Sequence, residues 1–474
     1  MGTPSIYPTG TIIYKPEKCF NGYTLFQACE KGATLIDMNG GVVNHWHNLQ
    51  GFPNKLLPGG YVLGSLSERD AKYSSQDQTD LVQVDWDGNI VWKFDHLELI
   101  EDPGYEPRWM ARQHHDYQRE GNPVGYYVPG MSSKTESGNT LLLCHYNVIN
   151  PDISLHELID DRIVEIDWEG NILWDWRCNE HFHEMDFDEA AKNALARNPG
   201  LMPIGKGDWM HINSMSTLGP NKWYDAGDER FHPDNIIIDG RQTNIIAIID
   251  KKTGKFVWQL GPDYSRGKAK EIGQIIGQHH AHMIPKGLPG AGNILMFDNG
   301  GFAGYGVPNP SSPDGTGVAH RDYSRVIEID PVKMEIVWQC RPMNLGYMQP
   351  GNADYFYSCF VSSAQRLPNG NTLITEGSDG RLLEITPDHE IVWEYISPYW
   401  GNFMALNMVY RAYRYPYDYV PQIEPPTEVA IAPIDILDFR LPGAKSKEFR
   451  RFTEVQGTTG YGEVDGFCLT FEKE

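Results

Sequence analysis

Cysteine is scarce in this chain and follows no pattern. Seven residues, Cys19, Cys29, Cys144, Cys178, Cys340, Cys359 and Cys468, are scattered over 474 positions. No Cys-x-x-Cys pair occurs, which argues against a structural zinc site of the thiolate type. An odd, sparse set also speaks for reduced thiols rather than a disulfide framework. Long apolar runs are missing too. No stretch approaches 18 consecutive apolar residues, so no segment is expected to span a membrane. The opening residues Met1-Gly-Thr-Pro-Ser-Ile-Tyr-Pro have neither a basic start nor an apolar stretch. A cytoplasmic protein is the expectation, although a trimmed exported protein would read the same. Positive charge is in deficit, with 40 Lys and Arg against 63 Asp and Glu and a net charge of −23. That balance argues against nucleic acid and anionic membrane as partners. An anionic small molecule stays open, because a small site is able to be locally basic.

What the chain has in plenty is a phrase repeated six times. The clearest copy runs from Leu81 to Trp92, Leu-Val-Gln-Val-Asp-Trp-Asp-Gly-Asn-Ile-Val-Trp. Further copies end in Trp46, Trp174, Trp258, Trp338 and Trp393. Each is a β-branched strand, an Asp/Gly/Asn turn and a second strand, the grammar of a β-hairpin. Ahead of several copies lies a second hairpin pattern, clearest at Ser362–Ile374 around Pro368-Asn-Gly-Asn. Two hairpins make a four-stranded unit that has to stack on neighbours to bury its faces. The expected fold is therefore an all-β, six-bladed β-propeller in one domain, although length alone would allow about three. Blades are placed near residues 20–50, 54–96, 110–177, 208–261, 277–341 and 357–397. Loop insertions fall at 97–112, 119–137, 219–235 and 300–322. One short helix is expected over 184–198, capped by Asp186. Residues 400–474 read as a C-terminal extension that packs on the propeller or supplies a closing strand.

Histidines gather at the starts of the inner strands. These read Gln113-His114-His115-Asp116, Met210-His211-Ile212-Asn213, Gln278-His279-His280-Ala281-His282 and Val361-Ser362-Ser363. Aligned by their turns, His114, His211 and His279 hold equivalent positions, with Ser362 in the sixth blade. Inner strands line a propeller's axis, so these imidazoles should converge at one end of the channel, joined by His115, His280 or His282. Imidazole serves as nucleophile or general acid/base near neutral pH, and it ligates Zn, Cu, Fe and Ni. The bland alternative is a water-lined axis where histidine only hydrogen-bonds. His145 is a weaker candidate, and His181 and His183 read as surface residues. Arg325 opens the fifth outer hairpin, as a surface-strand or a functional arginine.

At these residues the sequence resembles the arylsulfotransferase family, six-bladed propeller enzymes that move a sulfuryl group from an aryl sulfate to a phenol. The resemblance spans about residues 9 to 416. It is carried by Pro8-Thr-Gly-Thr, Asn21-Gly-Tyr-Thr-Leu-Phe, Asp208-Trp-Met-His-Ile-Asn-Ser, the His279–Asn299 segment, Ser324-Arg-Val-Ile-Glu and Gln365-Arg-Leu-Pro-Asn-Gly-Asn. It implies acid/base or sulfate-binding roles for His211, with Asn213, and for a histidine among 279–282, and an anion-binding role for Arg325. The family's covalent histidine lies late in the propeller, whereas here no histidine occurs between His320 and His389. The nucleophile would then be His211 or His280. Three functions follow as expectations. The first is sulfuryl transfer between phenolic compounds without a cofactor, with His211, His280, Arg325, His114 and His115 catalytic and Asn213, His279 and His282 binding substrate. The second is a transition-metal enzyme acting on a small aromatic or other organic molecule, with His114 or His115, His211 and one of His279, His280 and His282 as ligands. The third is a propeller that binds a ligand or partner without catalysis.

Overall fold

The computed structural model describes residues 8–200, 207–348, 351–401 and 406–433. Six four-stranded antiparallel sheets form the blades of a six-bladed propeller, and nearly all regular structure is strand. From the axis outward, blade II is Lys55–Leu57, Tyr61–Gly64, Leu81–Val84 and Ile90–Phe94. Blade III is Gln113–Arg119, Thr140–Val148, Leu158–Ile166 and Ile172–Arg177; blade IV is Ile212–Thr217, Ile236–Gly240, Ile245–Ile249 and Phe256–Leu260. Blade V is His279–Met283, Ile294–Asp298, Arg325–Asp330 and Glu335–Cys340. Blade VI, Ser362–Arg366 to Ile391–Ile396, carries Gly10–Tyr14 as a fifth, outermost strand. Blade I takes its inner strand from the far end of the chain, Ala412–Tyr415, paired antiparallel with Tyr23–Ala28.

The repeated phrase explains the outer hairpins. Asp85 Oδ1 accepts from the backbone N–H groups of Asp87 and Asn89, and Asp167 Oδ1 accepts from that of Asn171. Aspartate thus ties its own turn, while Gly88 and Gly170 supply the left-handed residue (φ 84° and 90°). In all six outer pairs the register shifts by a bulge next to this turn. That common shift sets the tryptophans in equivalent places. Each indole Nε1 donates to a turn carbonyl of the next blade: Trp46 to Asp85 (2.9 Å), Trp92 to Trp168 (2.8 Å), Trp174 to Lys251 (3.0 Å), Trp258 to Pro331 (2.8 Å), Trp338 to Pro387 (3.0 Å) and Trp393 to Met38 (2.8 Å). The last bond closes the circle. Apolar strand faces fill the space between blades, as where Leu143, Ile163 and Trp176 of blade III meet Ile236 and Ala247 of blade IV. Each such Ile or Leu contributes roughly 1.5–3 kcal/mol when withdrawn from water.

The insertions hold more structure than their composition suggested. Residues 97–112 contain a two-stranded ribbon, Glu98–Ile100 with Arg108–Met110, and a second ribbon joins Ala303–Tyr305 to Thr316–Ala319. The expected helix runs Glu189–Arg197, and its cap is Asp188, whose carboxylate accepts from the N–H of Ala191 (2.7 Å); Asp186 lies outside the helix. Two shorter helices, Lys222–Asp225 and Gly267–Ile272, join it. Among the described residues no helix is long and apolar enough to cross a membrane, and the six described cysteines are all free thiols. One compact unit, Met1–Ala432, holds every blade. The second unit, Pro433–Glu474, which includes Cys468 and most of the expected C-terminal extension, lies outside the described residues apart from Pro433.

Candidate active site

The inner strands of blades III, IV and V open with bulges. Beside them His115, His211 and His280 have left-handed backbone, with φ of 53°, 53° and 58°. A residue other than glycine in that region is strained, and such strain persists only where the surroundings enforce it. The positions that share this conformation are thus His115, His211 and His280, not His114, His211 and His279. The bulges shift the register by one residue relative to an alignment by turns.

These histidines do not form one cluster. His115 and His211 meet edge to face, ring centres 4.6 Å apart, and His114 lies behind His115 with Nδ1 to Nδ1 at 2.8 Å. His280 and His282 form a separate pair 4.4 Å apart, on a small internal cavity that Lys55, Asp116 and Tyr413 also line. There His280 Nδ1 donates to the Ala364 carbonyl and His282 Nε2 bonds with the Tyr126 hydroxyl. His279 Nδ1 is held by Asn299 Oδ1 at 2.8 Å. Among the described residues no ring contact joins His211 to His279, His280 or His282, so the expected ligand set across blades III, IV and V does not assemble.

One further expectation is corrected. Arg325 does not face the channel mouth. It sits directly across from Asp298 in the blade V ladder, and Nε bonds that carboxylate at 2.7 Å. Three more of its donors reach the carbonyls of Ile272, Gly273 and Gln274, so four of the five guanidinium N–H groups are spent inside the protein. Asn213 joins blades: Nδ2 donates to the Gln278 carbonyl and Oδ1 accepts from the His280 N–H.

The most developed hydrogen-bonded arrangement is centred on His211, the half-buried member, with its side chain 17% exposed. Its Nδ1 bonds Asp208 Oδ2 at 2.7 Å, and the Ser75 hydroxyl donates to the same oxygen at 2.6 Å. Burial disfavours ionised Asp208, but His211, His145 and the Ser75 hydroxyl together outweigh it and hold the carboxyl well below the usual range. This carboxylate fixes the imidazole's orientation and leaves Nε2 outside the pair. Burial, with His211 and His114 adding to it, keeps His115 neutral. Phe52, half-buried, stands edge-on to His115 with ring centres 5.9 Å apart and packs on Tyr410. Arg241, also half-buried, follows in blade IV; its backbone N–H donates to the His211 carbonyl and its guanidinium donates to Gln242. Burial lowers its pKa, while Cys359, Asp208, Tyr305 and Tyr357 act on it through space. Sequence reasoning passed over Arg241 and gave Asp208 no role. The Asp-Trp-x-His spacing was the available sign for Asp208, since i and i+3 around a turn bring the two side chains together.

Below this level Tyr410 and Arg411 reach the axis. Arg411 bonds Asp116 Oδ2 at 2.9 Å, and both side chains donate to the Asn213 carbonyl. Lys55 bonds the other oxygen of Asp116, so three buried charges meet here.

A family model described as arylsulfotransferase (ASST) matches residues 131–395 of this chain. No curated protein matches it in sequence. Solved structures similar to it include a protein of unknown function from Bacteroides caccae, at 11% identity and TM-score 0.43, covering 83% of this chain and 98% of the other. Virginiamycin B lyase from Staphylococcus aureus is similar at 11% identity and TM-score 0.35, covering 82% and 85%.

Proposed function

Because the chain belongs to the arylsulfotransferase family, we propose that it transfers a sulfuryl group between phenolic compounds, with His211 as the residue that carries the group. The observation that supports this reading is the Asp208–His211 pair at 2.7 Å, set at a partly buried inner-strand start beside Arg241. In the first half-reaction His211 Nε2 attacks the sulfur of an aryl sulfate. The nitrogen–sulfur bond forms, the bond from sulfur to the aryl oxygen breaks, and the phenolate leaves with the electron pair. Asp208 stabilises the positive charge that builds on the imidazole. Arg241 is the cation suited to the sulfuryl oxygens, whose charge is spread over three atoms. In the second half-reaction an acceptor phenol oxygen attacks sulfur, its proton passes to neutral His115, and His211 is released. Phe52 offers an aromatic edge to a phenolic ring.

The covalent step predicts ping-pong kinetics. A nitrophenyl sulfate should release nitrophenol in a burst near one equivalent per chain without acceptor, and continuously with an added phenol. Absence of release under both conditions refutes sulfuryl transfer. Release without a burst, and with intersecting rather than parallel double-reciprocal lines, refutes the covalent role of His211.

A further inference from the structure

We propose that His114, His145 and Asp161 form a binding site for one divalent transition-metal ion, on the blade III wall behind His115. The three residues come from the first, second and third strands of that blade, and His145 and Asp161 are direct partners in the ladder. All are shut off from solvent, at 0%, 1% and 0% exposure. His114 and His145 stack with ring centres 3.5 Å apart and planes 10° from parallel, so their Nε2 atoms emerge together. His114 Nε2 lies 3.2 Å and His145 Nε2 3.9 Å from Asp161 Oδ1, and the three atoms fall within 4.8 Å of one another.

The proton positions make these atoms a donor set for a cation. His145 Nδ1 bonds the Asp77 carboxylate at 2.8 Å, a group with no proton to give, so Nδ1 carries the hydrogen and Nε2 keeps its lone pair. Asp77 is itself fixed as an anion by Arg112 and Arg69. His114 Nδ1 pairs with His115 Nδ1, and with His114 as the donor of that bond its Nε2 is left with a lone pair as well. Asp161 uses its other oxygen to accept the N–H of Ile212. What remains is His114 Nε2, His145 Nε2 and Asp161 Oδ1, three buried atoms that find no hydrogen-bond partner. Lone pairs facing one another in a dry interior are unfavourable unless a proton or a cation lies between them.

A metal ion fits better than a proton. One proton satisfies a single pair and leaves the third atom orphaned, whereas one cation satisfies all three. Ligand atoms about 2.0–2.2 Å from a common ion stand about 3–3.5 Å apart; the 3.2 Å pair falls in that range and the 3.9 Å pair is slightly wider. The Asp77–His145 bond also has the form of the carboxylate partner that orients metal-bound imidazole elsewhere. Two imidazoles and one carboxylate suit Zn, Co, Fe(II) or Ni and disfavour Mg and Ca. This ligand set differs from one built on His211 and the 279–282 histidines, and it stands whether or not His211 carries a sulfuryl group.

The test reads metal, not turnover. Full-length protein, freed of any tag, is stripped with chelator, titrated with Co(II), and its visible absorption and bound metal per chain are measured. The site predicts one equivalent per chain. Asp161→Asn and His145→Ala should each weaken Co(II) binding at least tenfold, with circular dichroism unchanged, and exposed His183→Ala should bind as the parent does. Binding well below one equivalent, or binding unaffected by Asp161→Asn and His145→Ala, overturns the proposal. Should those variants fail to fold, X-ray absorption of the Co(II)-loaded parent decides. A first shell of nitrogen and oxygen with two imidazoles supports the site; sulfur ligation or fewer than two imidazoles refutes it.

Discussion

Replacing Asp208 by asparagine isolates what a single buried carboxylate does for His211. The substitution keeps the shape, and Asn still accepts from the Ser75 hydroxyl that now bonds Oδ2 at 2.6 Å. It removes the negative charge 2.7 Å from Nδ1, at a residue only 4% exposed. That charge matters most when Nε2 has bonded sulfur and the ring is cationic. A hydrogen bond to a charged group contributes about 1.5–3 kcal/mol, and at about 1.36 kcal/mol per tenfold the expected loss in kcat/KM is about 10- to 150-fold. Initial rates of nitrophenol release with a saturating phenol acceptor measure it, alongside the melting temperature. KM for the aryl sulfate should change little, because Asp208 acts through His211. A variant with kcat/KM within about twofold of the parent would refute the argument. So would a loss confined to KM, since the carboxylate would then be binding substrate or holding a loop.

Arg241→Lys should lose at least about tenfold in kcat/KM despite keeping its charge, because a lysine cannot reproduce two parallel N–H donors. Arg325→Met should instead destabilise the fold by about 1.5–3 kcal/mol, because buried Asp298 loses one of its two arginine partners and keeps only Arg321; chemical denaturation separates the two arginines. Burial pushes the Asp239 carboxyl up to about 7, against about 3.9 in an unfolded chain. The folded state therefore holds the extra proton between these values, and stability falls as pH rises from about 4 to about 7. Asp239→Asn should flatten this part of the profile and melt higher than the parent at pH 8. Trp393→Ala should cost about 3–5 kcal/mol through lost packing, and Trp393→Phe about 1 kcal/mol through the lost bond to the Met38 carbonyl.

Most of the architecture was legible because it repeats. A β-branched strand, an aspartate that ties its own turn and a terminal tryptophan recur with little variation, so both the hairpins and the places of the six indoles could be read. The strands Gly10–Tyr14 and Ala412–Tyr415 could not be assigned, because their partners lie at the opposite end of the chain and no local pattern names them. The gathering of histidines was legible; its register was not, because a bulge adds a residue without any consistent mark in the sequence. Arg325 looked like a lone arginine because its partner Asp298 is a cross-strand neighbour 27 positions away. Asp161 went unnoticed for the same reason, since its proximity to His145 comes from strand pairing.

The late arrival of Ala412–Tyr415 has a consequence for the order of events during synthesis. Tyr23–Ala28 is made early, yet its edge partner emerges only after every other blade. Through almost the whole of translation, blade I is a three-stranded sheet with one row of backbone N–H and C=O groups unpaired. An uncovered edge of this kind recruits other strands, including those of neighbouring nascent chains. A message cut short before codon 412 therefore yields no smaller propeller. It yields an open ring with an adhesive edge, and the longer the ribosome pauses before the last strand, the greater the exposure to aggregation.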